Sequence, residues 1–180
     1  MSKFSKDDYD KFDAAAKKKC VQSLPTIFYR YYGKDYYVVE REEDYGWDLE
    51  VRNGWSDDVV CYCDAKVKAA WNVTAWPREW EHIHVEDRLK RVIENGGVDP
   101  KTGKVVTLAY WNYHLTALVF IDHLGTPALT EVVSNRRCPD GEAFYLYTVR
   151  QHPFDLYAEG DGLHAHYHLL EGSSPPPISE

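Results

Sequence analysis

Residues 59–71 read VVCYCDAKVKAAW. A run that opens β-branched and aromatic and then alternates small apolar with polar residues is a strand. The two-residue period puts Cys61, Cys63, Ala65 and Val67 on one face, and Tyr62, Asp64, Lys66 and Lys68 on the other. The first face is small and apolar, as a core requires. The second sets a carboxylate beside two ammonium groups. Whether that second face is covered decides if these charges are solvated surface groups or a site.

The neighbouring segments follow from this strand. RNGWSDD (52–58) carries the Asn53-Gly54 hairpin signal, so YGWDLEV (45–51) is the preceding antiparallel strand. Asp48 then lies one hairpin from Asp64, and Glu50 shares the face of Asp48. TIFYRYYGKDYYVVEREED (26–44) reads as strand in two pieces around a turn at 33–35. Residues 6–22 read as a helix, acid-rich at its start and lysine-rich at its end, with Tyr9, Phe12, Ala16 and Cys20 as its apolar stripe. Ser23-Leu24-Pro25 ends it. Downstream, 72–80 is a loop. HVEDRLKRVIENGG (84–97) reads as a helix with Val85, Leu89, Val92 and Ile93 facing inward and Gly96 at its end. After a turn at 98–104 come strands at 105–113, 115–125, 142–151 and 163–172, and 173–180 is a flexible tail. The expectation is a single α+β domain over 1–172: a mixed central sheet with flanking helices and extra C-terminal strands.

Composition narrows the function. The chain has 180 residues, 44% hydrophobic and 28% charged, ordinary for a globular protein, but with 14 Tyr and 6 Trp. The net charge of -8 argues against a surface that grips nucleic acid everywhere. The charge is uneven. Residues 141–180 hold six acids against one base, whereas 66–104 hold eight Lys or Arg against six acids, so an anionic ligand meets the middle of the chain. There is no apolar leader and no run long enough to span a membrane. Cys20, Cys61, Cys63 and Cys138 form no CxxC, and buried thiols in a cytoplasmic protein are expected.

Two carboxylates and a lysine converging from adjacent strands suit phosphodiester hydrolysis. Asp48 and Asp64, with Glu50 as a further oxygen ligand, can hold Mg²⁺ or Mn²⁺. Lys66 can orient a water or stabilise developing charge. The pattern GWDLEV … CYCDAKVKAAW resembles the core of the PD-(D/E)XK nuclease superfamily, with Asp48 as the first acid and Asp64-Ala65-Lys66 as the D/E-x-K tripeptide. Trp47 stands where the family name has Pro, and the second acid is Asp rather than Glu. The resemblance covers roughly residues 6–122. It implies an αβββαβ core, a Mg²⁺-dependent nuclease, and Asp48, Asp64 and Lys66 as catalytic residues. DNA is the implied partner, in a small stand-alone enzyme of restriction, repair or recombination type that can act as a homodimer.

Lys68, Arg88, Lys90 and Arg91 are the candidate contacts to a phosphate backbone. Trp71, Trp76 and Trp80 can stack on bases or fill the core. Against these stands a plainer reading, in which Glu86–Lys90 is a helical ion pair and Asp64–Lys66 a solvated one. The fold then serves as a catalytically inactive binding protein. A third possibility is a metal site on the last strand, where His164, His166 and His168 alternate near Glu171. His82 and His84 repeat that spacing ahead of the expected helix, where they cap or pack.

Overall fold

The computed structural model describes the backbone of residues 6–41, 46–77, 79–86, 89–121, 124, 129–134, 143–148, 155–160 and 162–168. It describes the side chains of residues 10–29, 32–41, 46–77, 79–85, 89–121 and 124.

Helix α1 (Lys6–Tyr32) is followed by strands β1 (Tyr36–Glu40), β2 (Leu49–Asn53) and β3 (Val59–Lys68), then β4 (His82–Glu86) and a short helix α2 (Lys90–Glu94). Strands β5 (Val105–Asn112), β6 (Ala117–Ile121), β7 (Leu129–Ser134), β8 (Ala143–Thr148), β9 (Asp155–Gly160) and β10 (Gly162–His168) complete the order. Seven strands form one sheet in the order β1-β2-β3-β5-β6-β9-β10, and β4-β8-β7 form a second. In the large sheet β3 and β5 are parallel, Cys61 beside Val105 through Lys68 beside Asn112, while the other pairs are antiparallel. The fold is α+β around a mixed sheet, as the sequence implies.

A parallel pair needs a crossover, and the crossover from β3 to β5 carries β4 and α2 over one face of the sheet. Its Trp71, Trp76, Ile83, Val85, Leu89, Val92 and Ile93 pack against Tyr62, Val106, Leu108 and Tyr110. The opposite face lies under α1, whose Ala16, Cys20, Leu24, Ile27 and Phe28 pack on Leu49, Val51, Cys61, Cys63, Ala65 and Trp111. Strand β3 is therefore sandwiched, and the alternation read from 59–68 sorts its residues between two cores. On the helix side the Trp111 indole donates to the Cys20 sulfur at 3.1 Å. Burial pushes the Cys61 thiol up to about 12 and Cys63 well above its ordinary value. Cys20, Cys61 and Cys63 are free, buried thiols, as expected; Cys138 lies outside the described residues.

Two elements differ from the sequence reading. Helix α1 runs through Pro25 to Tyr32, so 26–32 are helical rather than strand. Pro25 deletes one helical hydrogen bond. Continuous burial of Leu24, Ile27 and Phe28 on the sheet outweighs it. The helix expected at 84–97 is instead strand β4 followed by α2 of five residues. Ile83 and Val85 are buried while His84 is exposed, a two-residue period, and Val85 only coincidentally fits the helical spacing of Leu89 and Val92. Smaller shifts place the expected 45–51 strand at 49–53 and the last strand at 162–168; β7 and β9 were not expected.

Candidate active site

The site lies where β2 begins and β3 continues past it. Leu49 is the first residue of β2 and pairs with Cys63, so β3 outruns its neighbour from Asp64 onward. Asp48 takes up the vacant position. Its Oδ2 accepts the Ala65 N–H at 2.9 Å, standing in for the carbonyl that a longer β2 would supply. Its Oδ1 meets Lys17 Nζ of α1 at 3.2 Å, and the same ammonium lies 2.8 Å from Asp13 Oδ2, one helical turn earlier.

Asp64 is the centre of the cluster. Its side chain is 1% exposed, and Lys66 Nζ stands 3.7 Å from its Oδ2. The Asp48 and Asp64 side chains interact with one another. Two neighbouring carboxylates are costly to ionise together, and nearby cations offset that cost. Burial works to raise the Asp48 pKa. The Asp64 side chain, the Ala65 N–H and the Lys66 and Lys17 charges outweigh it and hold Asp48 below the usual carboxylate range.

The donor set suits a hard cation. The two candidate ligands are carboxylates, and Mg²⁺ takes one or two of these while completing its shell with water and phosphate oxygens. Zinc would call for imidazole or thiolate partners. Among the described residues no three His, Cys, Asp or Glu side chains gather into a metal group, so the protein would supply at most these two. Glu50, read as a third ligand, is held elsewhere. Its Oε2 accepts Arg52 Nη2 at 2.6 Å and Nε at 2.9 Å, and its Oε1 lies 3.5 Å from Arg41 Nε.

The expected backbone-binding residues fall in different places. Lys68 continues the strand beyond Lys66, its ammonium 5.7 Å from the centre of the Tyr110 ring. Lys90 is exposed and lies 3.7 Å from Glu94, one turn on, while Glu86 sits on β4 and so is not on the helix with Lys90. Arg91 is exposed in the last turn of α2, and Arg88 lies outside the described residues. Trp71 and Trp76 are buried and meet edge to face at 5.2 Å, and Trp80 follows at 5.4 Å, so the cluster fills the core under the crossover.

His164, His166 and His168 lie on β10, the last strand of the sheet. A register irregularity between Leu163 and Ala165 falls on His164, so simple alternation does not carry from His164 to His166. Their side chains lie outside the described residues, as does Glu171.

Sequence reasoning missed Lys17 and Asp13. The sequence reading puts Lys17 among the lysines at the helix end and does not single out Asp13. Their i,i+4 spacing, flanking the Phe12–Ala16 stripe that faces the sheet, was the available signal. No family model matches the sequence, and no curated protein and no solved structure matches it.

Proposed function

We propose that the chain is a divalent-metal-dependent nuclease that hydrolyses phosphodiester bonds of DNA, with Asp48, Asp64 and Lys66 as its catalytic residues. The observation that carries this reading is the buried Asp64, sealed from solvent, with Lys66 3.7 Å away and Asp48 interacting with it from the neighbouring strand. Burying a carboxyl in a sheet costs several kcal/mol in the absence of compensation, roughly, and a structural role would be met as well by apolar residues. Perturbed acids grouped with a lysine mark functional sites.

Asp48 and Asp64 would hold Mg²⁺ or Mn²⁺ between them. When bound, such an ion supplies Lewis-acid charge against the phosphate. Lys66, on the same strand face as Asp64, directs an ammonium at the phosphate, where it orients the attacking water and offsets negative charge gathering on the non-bridging oxygens. Lys68, two residues further along that face, extends positive charge toward a neighbouring phosphate.

A second reading, an inert charge cluster in a binding protein, is favoured by Lys17, which already places a cation on Asp48. Incubating plasmid and single-stranded DNA with the protein and Mg²⁺ or Mn²⁺ separates the two. The nuclease reading expects cleavage that needs the ion and is lost in Asp64→Asn and Lys66→Ala. Folded protein that cuts neither substrate with either ion supports the inert cluster.

A further inference from the structure

Helix α1 brings to the carboxyl pair an ammonium that has two places to rest. Lys17 Nζ is 3.2 Å from Oδ1 of Asp48 and 2.8 Å from Oδ2 of Asp13. A divalent cation on Asp48 and an ammonium at that distance from the same carboxylate repel one another strongly, the more so in a part-buried setting. Both cannot use Asp48 at full strength.

We propose that Lys17 is an exchangeable counter-ion of the metal site, occupying Asp48 in the metal-free chain and withdrawing to Asp13 when a divalent cation binds. The inference rests on the reading of Asp48 and Asp64 as metal ligands. Three features of the geometry support it. The lysine side chain is a point charge on a flexible four-carbon stem, able to move without disturbing the helix. Asp13 sits at i,i+4 to Lys17, so the withdrawn ammonium keeps a partner on its own helix. Asp48 stays in place when Lys17 leaves, because its other oxygen is fixed by the Ala65 N–H. The charges also account for the need. Asp13, Asp48 and Asp64 face two ammonium groups, Lys17 and Lys66, so most of the acid charge is offset in the metal-free cluster. Such a cluster folds without an ion and gives up a lysine contact when the ion enters.

Exchange and static bracing predict opposite signs. If Lys17 competes with the ion, Lys17→Met strengthens Mn²⁺ binding, by about tenfold for loss of one nearby positive charge. Asp13→Asn removes the alternative rest for the ammonium, and Mn²⁺ binding weakens by about threefold or more. In Asp13→Asn/Lys17→Met the affinity matches that of Lys17→Met. If Lys17 merely braces Asp48 for the metal, Lys17→Met weakens binding instead. The measurement is Mn²⁺ titration of the full chain without DNA, by calorimetry or by the paramagnetic signal of free Mn²⁺, with thermal unfolding to verify each fold. Wild-type binding that is unchanged or weakened in folded Lys17→Met overturns the exchange and leaves the metal site standing. Should Lys17→Met not fold, Asp13→Asn decides alone, and unchanged or tighter binding overturns the proposal. No Mn²⁺ binding by wild type or any variant removes both the exchange and the metal-dependent reading. Binding by Lys17→Met but not by wild type supports the exchange and tells against the nuclease reading.

Discussion

Strands β2 and β3 and their neighbours carry two charged networks, and the contrast between them isolates what is unusual in this molecule. The outer one joins Glu50 to Arg52 and Arg41, and runs on from Arg52 to Asp57, whose carboxylate also accepts the Tyr37 hydroxyl. Each acid there faces a guanidinium, and the network reaches into solvent at the hairpin. The inner one joins Asp13, Lys17, Asp48, Asp64 and Lys66. There an acid lies against an acid, and Asp64 has almost no exposure. A guanidinium is a planar cation that stays charged, whereas a lysine is a point charge on a flexible stem that can give way. On the proposed function, the outer network is structural and the inner one is the site that takes a cation.

The largest expected difference is in activity. Asp64→Asn should lower metal-dependent DNA cleavage by about a hundredfold or more, as loss of a group acting on the transition state does. Glu50→Gln should lower it by less than about threefold, since Glu50 serves the outer network. Equal losses in the two variants, measured on a labelled duplex, would merge the networks and return Glu50 to the metal shell. Stability should separate them next. Lys66→Met removes the ammonium beside a buried carboxyl and should cost about 2–3 kcal/mol. Arg52→Met, at the solvated end, should cost less than about 1 kcal/mol. Urea unfolding of both variants gives the comparison directly.

Acid should act on the inner network through Asp48. Its folded pKa is depressed below the usual carboxylate range, so its contribution is fully present above the unfolded value and is lost as pH falls through the folded pKa. Lys17 is the mirror case. Burial lowers its pKa, but Asp13 and Asp48 raise it further, above the ordinary lysine value. Its contribution is present below that value and is lost as pH rises through the folded pKa. Wild type should therefore lose stability below about pH 4 more steeply than Asp48→Asn. Parallel profiles of urea midpoint against pH would show that Asp48 is no more strongly held than an exposed acid.

Much of this was legible because strand periodicity and hairpin chemistry are local. The alternation in 59–68 and the Asn53-Gly54 turn were enough to place β3, its register partner and the Asp48–Asp64 approach. The α+β class followed from element order. The errors came where distant packing overrode local signals. Pro25 is a helix stop by propensity, yet the sheet surface beneath α1 holds the helix together across it. His82–Glu86 fits two periods over so short a run, and pairing with β8, some sixty residues on, selects the strand. The site shows the same division. Its two acids and Lys66 lie on neighbouring strands and could be read, whereas Lys17 reaches it only because α1 lies across β3. Glu50 shares the predicted strand face but is claimed by Arg41 and Arg52, which a pattern of alternation cannot reveal.

The smallest expected effect tests the outer network itself. Arg52 Nη2 and Nε both reach one oxygen of Glu50, which is short but leaves the second oxygen to Arg41 at 3.5 Å. That geometry falls short of a two-oxygen fork, and Arg52 is part-exposed, so water competes for it. A double-mutant cycle with Glu50→Gln and Arg52→Met should give a coupling of about 0.5–1 kcal/mol. It should fall by about half or more in 1 M NaCl, where screening acts over roughly 3 Å. The Asp64–Lys66 pair, cycled with Asp64→Asn and Lys66→Met, should keep most of its coupling in the same salt, because ions cannot enter between its members. A salt-resistant Glu50–Arg52 coupling would mean that the outer network is as sealed as the inner one, and burial would then cease to distinguish the site from its surroundings.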